Sequence, residues 1–284
     1  MMKLDKRRKY YMILDCETAT LPFVKDFDES ARKNIAIAKP LIYDLGWQII
    51  DRQGRVYAKK NYLITEIFSV PSVFNTAYYA ETRPIYIEML ERGEIRLTDW
   101  RSAINDLLED INFCYAVGAY NSMFDFKKAI PFTEKYINAL YSPDYNEFER
   151  KQRYSCKCIA EGTAYDNTHN FDGENFCFRG KKYPMFDVWG MACEYLLNCD
   201  EYKRMCIDNK WRSASGKYFT TSAERAYCFL KNNIDFIESH TALDDAKIES
   251  EIFARILKPT VKNLKIGITY FPFRILGKVE CFEY

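Results

Sequence analysis

Short apolar segments in the first part of the chain predict strands. Residues 10–14 form an apolar run that ends at Asp15, which is typical of a buried strand. Residues 41–51 and 55–64 are rich in aromatic and β-branched side chains, and Gly54 lies in the turn sequence between them. We therefore predict one strand followed by a β-hairpin.

Helical periodicity appears further along the chain. Residues 98–111 place a set of apolar side chains on one helical face: Trp100, Ala103, Ile104, Leu107, Leu108 and Ile111. Residues 113–120 form another apolar run and predict a strand, and residues 121–129 are typical of the start of a helix. Residues 243–257 again show helical spacing. This order of strand, hairpin, helix, strand and helix predicts an α/β fold with a mixed sheet.

The stretch 142–183 interrupts this pattern. It is rich in Asn, Asp, Gly and Tyr and has little periodicity, so we predict an irregular insertion within a single domain that spans residues 1–284. The stretch also contains four potential Zn²⁺ ligands, whose spacing matches no common zinc-finger pattern: Cys156, Cys158, His169 and Cys177. A structural zinc site and free thiols are both open interpretations for these residues.

The composition is that of an ordinary globular protein. The chain has 284 residues, of which 48% are hydrophobic and 29% are charged, and its apolar runs are too short to cross a bilayer. Its 41 Lys and Arg against 40 Asp and Glu give a net charge of +1, which excludes a strongly basic protein that attracts nucleic acid by charge alone. The basic N-terminus is followed by only a short apolar run without a small-residue cleavage site, so we expect no signal peptide. We therefore expect a cytoplasmic protein whose cysteines are reduced thiols.

Several acidic residues and one His lie where predicted strands and helices meet. Asp15 and Glu17 follow the first predicted strand, and both carboxylates project together because alternate residues of an extended chain share a face. Asp125 lies where the second apolar run gives way to a helix. His240 precedes the last predicted helix, and Asp245 lies in its first turns. Each residue alone has a simpler explanation, such as a solvated turn or a helix N-terminal acid.

Together, these residues form three ordered motifs: Asp15-x-Glu17-Thr18, Asn121-x-x-Phe124-Asp125 and His240-x4-Asp245. This set resembles the DEDD exonuclease superfamily, and more narrowly its DnaQ-like branch, whose third motif carries a His. The resemblance covers roughly residues 8–260 apart from the irregular stretch. It implies a ribonuclease H-like fold, with a mixed five-stranded sheet flanked by helices. It also suggests that Asp187 caps a family helix.

The resemblance implies a metal-dependent 3′-to-5′ exonuclease that releases nucleoside monophosphates from single-stranded nucleic acid, with DNA favoured. Phosphodiester hydrolysis needs an activated water and a stabilised leaving oxygen, which two divalent ions about 3.5–4 Å apart supply. Mg²⁺ takes hard oxygen ligands, and Mn²⁺ can substitute for it. The resemblance assigns the ligand role to four acids: Asp15, Glu17, Asp125 and Asp245. It assigns the general base to His240, because an imidazole titrates near neutral pH.

The same motifs imply the contacts with substrate. The resemblance places Thr18, Asn121 and Phe124 around the terminal nucleotide, so the expected partners are 3′ ends of single-stranded DNA or RNA. A replication or repair assembly is a further candidate partner, no membrane partner is expected, and the oligomeric state stays open. Asp244 competes with Asp245 for the ligand position, and the family spacing from the His favours Asp245.

Two other functions stay open at this point. One is a 3′-to-5′ exoribonuclease that resembles ribonuclease T or oligoribonuclease, which a preference for short RNA 3′ ends would favour. The other is a catalytically silent nucleic-acid-binding module. The presence of all four acids together with His240 argues against the silent module.

Overall fold

The computed structural model describes residues 9–163, 175–213, 215–260, 274 and 276–279. Its sheet has seven strands: β1 (Tyr10–Ala19), β2 (Leu41–Asp51), β3 (Val56–Ile64), β4 (Arg96–Thr98), β5 (Ala116–Ala119), β6 (Asn175–Phe178) and β7 (Lys181–Asp187). Across the sheet they lie in the order β4-β3-β2-β1-β5-β7-β6. The β1–β2, β2–β3 and β6–β7 pairs are antiparallel, whereas β3–β4, β1–β5 and β5–β7 are parallel. The described chain is therefore an α/β protein with a mixed sheet.

The predicted count of five strands is wrong, because each edge of the sheet carries one more short strand. β4 has 3 residues and lies next to β3 at one edge. β6 has 4 residues and lies next to β7 at the other edge. Strands this short leave too few alternating positions to be recognised in a sequence.

Helices flank the sheet: α1 (Glu29–Ala38), α2 (Thr65–Phe68), α3 (Pro71–Phe74), α4 (Arg83–Glu91), α5 (Trp100–Ile111), α6 (Ser122–Phe124), α7 (Ile130–Leu140), α8 (Tyr145–Ala160), α9 (Val188–Leu196), α10 (Asp200–Asp208), α11 (Ala223–Lys231) and α12 (Ala242–Thr260). Short 3-10 helices cover Pro22–Asp26 and Ala80–Thr82, and a π-helical turn, Asp125–Ala129, joins α6 to α7. In the described ranges, no helix combines the length and apolar character that a membrane span requires.

β1 lies in the middle of the sheet and is buried on both faces. Met12 and Leu14 pack into a core with helices such as α1, α5 and α7 on one face. Tyr11 and Ile13 pack on the opposite face, in a core with α9 and α12 that includes Phe253. An apolar run of this kind is expected for a strand with helices on both sides.

Several predicted elements match the structure closely. The strand predicted for residues 41–51 is β2 (Leu41–Asp51), and the helix predicted for residues 98–111 is α5, which begins after Asp99. Asp99 caps α5, since its side chain accepts a hydrogen bond from the backbone N–H of Ser102 at 2.9 Å. β1 is longer than predicted, because β2 pairs with it as far as Ala19. Asp15 and Glu17 therefore lie within a strand and not in a turn after it.

Much of the stretch 142–183 is regular, which corrects the prediction of an irregular insertion. α8 (Tyr145–Ala160) occupies its first part, and β6 and β7 belong to the main sheet. α8 has few buried residues and therefore no long apolar face in its sequence. Its exposed side chains form ion pairs one turn apart, such as Lys151 with Glu147 at 2.6 Å. Residues 164–174, which include His169, lie outside the described residues.

Candidate metal centre

Three of the predicted site residues meet at the start of α12. Glu17, His240 and Asp245 each offer one ligand atom, and these atoms all lie within 4.8 Å of one another. Asp245 is only 8% exposed, and its Oδ1 is buried without a hydrogen-bond partner in the described structure. A buried carboxylate oxygen needs a proton or a cation nearby. Two carboxylates and an imidazole around such an oxygen form a donor set that fits a divalent cation.

The strand β1 brings two acids to this point. Asp15 pairs with Gly46 of β2, and Glu17 pairs with Asp44. Residues paired across two strands share a face, so all four face α12. The β1–β2 register shifts just after Glu17, between that residue and Thr18. Such a bulge turns the following side chains away from the regular pattern and is common beside functional sites.

Asp125, although distant in the sequence, also lies against β1. It begins the π-helical turn (Asp125–Ala129), a form of helix that is frequent at functional sites. Asp125 is 2% exposed, and its Oδ1 accepts a hydrogen bond from the Cys16 thiol with a donor–acceptor distance of 3.0 Å. Burial raises the pKa of Asp125 to about 7. The second predicted motif therefore lies against β1, next to the first.

The acids interact electrostatically as one cluster. Burial raises the pKa of Asp15 well above its usual value, and the nearby carboxylates of Glu249, Asp125, Glu17 and Asp245 raise that pKa further. Burial likewise raises the pKa of Glu17 well above its usual value and that of Asp245 to about 8. Like charges this close in a buried site repel one another, and a bound cation relieves the repulsion.

The backbone of His240 is held in an uncommon conformation. Its φ of 54° lies in the left-handed region, which residues other than Gly rarely adopt. The Tyr86 hydroxyl donates to Asp44 Oδ2 at 2.9 Å and lies 3.3 Å from the carbonyl oxygen of His240. Asp44 Oδ2 also accepts a hydrogen bond from the backbone N–H of Ala242 at 2.8 Å, which caps the start of α12. The turn before α12 is thus tied to β2 and to Tyr86.

The imidazole of His240 is partly buried, and burial lowers its pKa. A neutral imidazole has one ring nitrogen with a free lone pair, which can accept a proton. The Tyr79 ring stacks on the imidazole, with ring centroids 4.0 Å apart and an interplanar angle of 11°.

Gly46 lets α12 approach the sheet closely. A Cβ atom at this position would lie 2.4 Å from the backbone nitrogen of Leu243, far inside contact distance. Any larger residue would therefore push the first turn of α12, and with it Asp245, away from β1.

The three predicted substrate-contact residues have different surroundings. Asn121 is exposed with a left-handed φ of 70°, between β5 and α6, and it lines a pocket of about 350 Å³. Phe124 is half-buried and packs against the core on one face of the sheet. Thr18 is half-buried just beyond the β1 bulge. No contact of these side chains with a ligand atom of Glu17, His240 or Asp245 is described, so their role stays a prediction.

Sequence reasoning missed three acids, of which Glu249 and Asp44 are buried and Glu238 is partly buried. Glu249, 3% exposed, lies one helical turn after Asp245, and its Oε2 accepts a hydrogen bond from the backbone N–H of Tyr120 at 3.1 Å. Its spacing from Asp245 on one helix face was the available signal. Asp44 is fully buried within β2, among mostly apolar residues. Glu238, just before His240, has its pKa raised to about 7 by burial.

The other predictions on acids and cysteines have separate outcomes. Asp187 caps α9 as predicted, because its side chain accepts a hydrogen bond from the backbone N–H of Gly190. Asp244 is a first-turn acid of α12 and interacts with Lys247. Within the ranges that the structure describes, Cys156, Cys158 and Cys177 do not come together as a metal-binding group.

No protein-family model, curated protein or solved structure matches this chain. Function is therefore inferred from the chemistry of the site itself.

Proposed function

We propose that this protein is a metal-dependent 3′-to-5′ exonuclease that releases nucleoside monophosphates from single-stranded nucleic acid, with DNA as the favoured substrate. The observation that carries the proposal is the approach of Glu17, His240 and Asp245, whose ligand atoms lie within 4.8 Å of one another. These residues come from two separate motifs, and the third motif contributes Asp125 to the same cluster of interacting acids.

The metal-ligand role falls to the four predicted acids: Asp15, Glu17, Asp125 and Asp245. When bound, a pair of divalent ions such as Mg²⁺, or Mn²⁺ in its place, activates water and stabilises the leaving oxygen of the phosphodiester. The raised pKa values of these carboxyls support the ligand role, because a site that repels its own charges gains most from a cation. The unpartnered Oδ1 of Asp245 supports it independently.

His240 has the role of general base. Its pKa is lowered by burial, so the imidazole is neutral at neutral pH and accepts the proton of the attacking water at a ring nitrogen. The turn that carries His240 is held by Tyr86 and by the capped start of α12, which keeps the base close to Glu17 and Asp245. A fixed base of this kind contributes typically about 10²–10⁴-fold to the rate.

A ribonuclease H-like fold is part of the same proposal. The five central strands, in the order β3-β2-β1-β5-β7, form a mixed sheet with helices on both faces, and β4 and β6 extend it at the edges. The acids lie on the central strand β1, on the helical turn that follows β5 and on α12, and this arrangement along the chain supports the proposal.

The test is digestion of 5′-labelled single-stranded DNA and RNA of one sequence, with Mg²⁺ and with Mn²⁺. We expect a ladder that shortens from the 3′ end and mononucleotide products, lost in Asp245→Asn. Asp244→Asn is the matched control, since it removes the same charge from the neighbouring residue, whose carboxylate is bound to Lys247, Thr241 and Ser239.

Each outcome of this experiment has a distinct meaning. Faster digestion of RNA than of DNA would make RNA the favoured substrate and would support the exoribonuclease. Wild-type protein that binds oligonucleotide but releases no nucleotide with either metal would overturn the proposal in favour of a silent binding module. Equal activity in Asp245→Asn and the wild type would contradict the ligand role of Asp245, or would trace the ladder to a contaminating nuclease if all the variants kept it.

A further inference from the structure

The Tyr79 side chain covers one face of the proposed general base. Its ring centroid lies 4.0 Å from that of His240, and the two rings are within 11° of parallel. A His side chain turns about two bonds, and rotation about the bond to its ring has only broad preferences. A flat ring packed on one face restricts that rotation. The backbone contacts of His240 with Tyr86 leave the ring orientation free, so Tyr79 supplies a constraint that they do not.

Tyr79 is itself anchored. Its carbonyl oxygen accepts hydrogen bonds from the backbone N–H of Thr82 at 3.0 Å and from the Thr82 hydroxyl at 2.6 Å. Shortly before Tyr79, the Thr76 hydroxyl oxygen accepts a hydrogen bond from the backbone N–H of Thr20 at 2.8 Å. Thr20 directly follows β1, the strand that carries Asp15 and Glu17. The stacking ring is therefore connected to the strand that carries the acids.

The neighbouring Tyr78 gives a natural comparison. Tyr78 is 76% exposed, and its ring meets Tyr79 edge-on, with centroids 4.8 Å apart and an interplanar angle of 88°. Tyr79 is less exposed and lies close to the acids, since burial and then the Glu17 carboxylate raise the pKa of its phenol to about 12. The phenol is neutral at neutral pH, and the stack joins two uncharged rings.

We propose that Tyr79 is a positioning residue for His240, which holds the imidazole plane so that a ring nitrogen faces Glu17 and Asp245. The proposal rests on the proposed function, in which that nitrogen accepts the proton of the attacking water. A base must lie within hydrogen-bond reach of the proton that it accepts, so an imidazole free to rotate spends less time in the productive orientation. The stack involves the ring of Tyr79 and not its hydroxyl, so a Phe at this position should hold the imidazole in the same orientation.

The first test measures the stack without any activity. The sequence contains two His residues, so a His169→Gln background leaves His240 as the one source of imidazole proton signals in the NMR spectrum. A ring stacked at 4.0 Å shifts these signals upfield. We expect Tyr79→Leu to abolish the shift, and Tyr79→Phe and Tyr78→Leu to preserve it. Signals that do not change in Tyr79→Leu would overturn the stack and the proposal with it.

The second test measures turnover on single-stranded DNA with the 284-residue chain. We expect Tyr79→Leu to lower kcat by about 10–100-fold with KM nearly unchanged, because the lost interaction orients a reacting group. Tyr79→Phe restores kcat, and Tyr78→Leu leaves it near the wild-type value. The rescue by Phe, together with an unchanged thermal midpoint, separates positioning from a folding defect.

The outcomes distinguish this proposal from the function on which it rests. An inactive wild type overturns the proposed function, and the positioning role with it. An active wild type with an equally active or faster Tyr79→Leu overturns the positioning role alone; a faster variant would mean that the stack blocks the imidazole. A rise in KM with kcat unchanged also overturns it, since Tyr79 would then bind substrate.

Discussion

Asp44 accepts a hydrogen bond from the backbone N–H of Ala242 across 198 residues of sequence, with an oxygen–nitrogen distance of 2.8 Å. A side chain of β2 thus caps a helix that begins near the other end of the described chain. The same oxygen accepts a hydrogen bond from the Tyr86 hydroxyl, which in turn lies near the carbonyl oxygen of His240. One buried carboxylate therefore sets where α12 begins and how the turn before it is held.

Loss of this cap is expected to weaken both folding and metal binding. Asp44→Ala leaves the N–H of Ala242 and the hydroxyl of Tyr86 without their acceptor, at a cost of about 1–3 kcal/mol in the free energy of unfolding. Urea titration at about pH 6, together with Mn²⁺ titration, measures the two effects. The control is Asp28→Ala. It removes the side chain that caps α1 by accepting a hydrogen bond from the backbone N–H of Ala31, so it should lower stability but leave Mn²⁺ affinity unchanged. Equal Mn²⁺ affinity in both variants would contradict the role of Asp44 at the site.

The metal-free protein should lose stability as the pH rises from about 5 to about 8. Burial raises the pKa of Asp125 to about 7 and that of Asp245 to about 8, above the values that these carboxyls have in the unfolded chain. Over this range the folded state binds more protons than the unfolded state, so the free energy of unfolding falls with increasing pH. Thermal midpoints in a chelating buffer measure this slope. A midpoint independent of pH would show that the carboxyls titrate normally.

The same acids predict how metal affects stability. Mn²⁺ or Mg²⁺ should raise the thermal midpoint more at about pH 8 than at about pH 6, because a cation stabilises the ionised carboxylates of the folded state alone. Asp245→Asn removes one buried charge and should raise the metal-free midpoint at the higher pH. The variant should also lower Mn²⁺ affinity by at least about tenfold. Asp244→Asn should leave Mn²⁺ affinity near the wild-type value and should lower the metal-free midpoint, because its ionised carboxylate interacts with Lys247, Thr241 and Ser239. A loss of Mn²⁺ affinity in Asp244→Asn as large as that in Asp245→Asn would contradict the choice of Asp245 as the ligand.

Gly46→Ala tests how closely α12 must approach the sheet. The added Cβ would meet the backbone of Leu243 at 2.4 Å, and a backbone cannot move aside as a flexible side chain can. We expect a loss of about 1–3 kcal/mol in the free energy of unfolding and weaker Mn²⁺ binding. Gly190→Ala is the control, because its Cβ would meet its nearest neighbour at 3.4 Å and an Ala favours the helix. A Gly46→Ala protein with wild-type stability and affinity would show that α12 tolerates displacement.

Local patterns in the sequence identified the elements that are long and strongly apolar or amphipathic. β2 and α5 are predicted to within a few residues, since each buries a continuous set of side chains. β4 and β6 are too short to show a hydrophobic pattern in the sequence. α8 shows no apolar face because its buried residues are Gln152 and Cys156. Local periodicity therefore predicts the elements that form the core, but not the short edge strands or the polar helix α8.

The site shows a similar division. The motif residues could be found because their order and spacing are specific, and the structure brings Glu17, His240 and Asp245 together. Tyr79 and Asp44 could not be found in this way, because each acts on His240 or α12 through a contact between distant segments. Only the folded chain shows which Tyr, among the 22 in the sequence, lies against the imidazole.

The order of the elements along the chain has a consequence for biosynthesis. Asp15 and Glu17 lie on β1, the first strand described. His240 lies in the turn before α12, the last long helix described, and Asp245 lies in the first turn of that helix. A nascent chain that ends before His240 already has three of the four proposed ligands, Asp15, Glu17 and Asp125, but has neither the proposed base nor Asp245. Contacts between such distant segments also form late in folding, because a long loop must close first. Under the proposed function, a chain synthesised only as far as α11 would therefore be unable to assemble the metal centre or to hydrolyse nucleic acid.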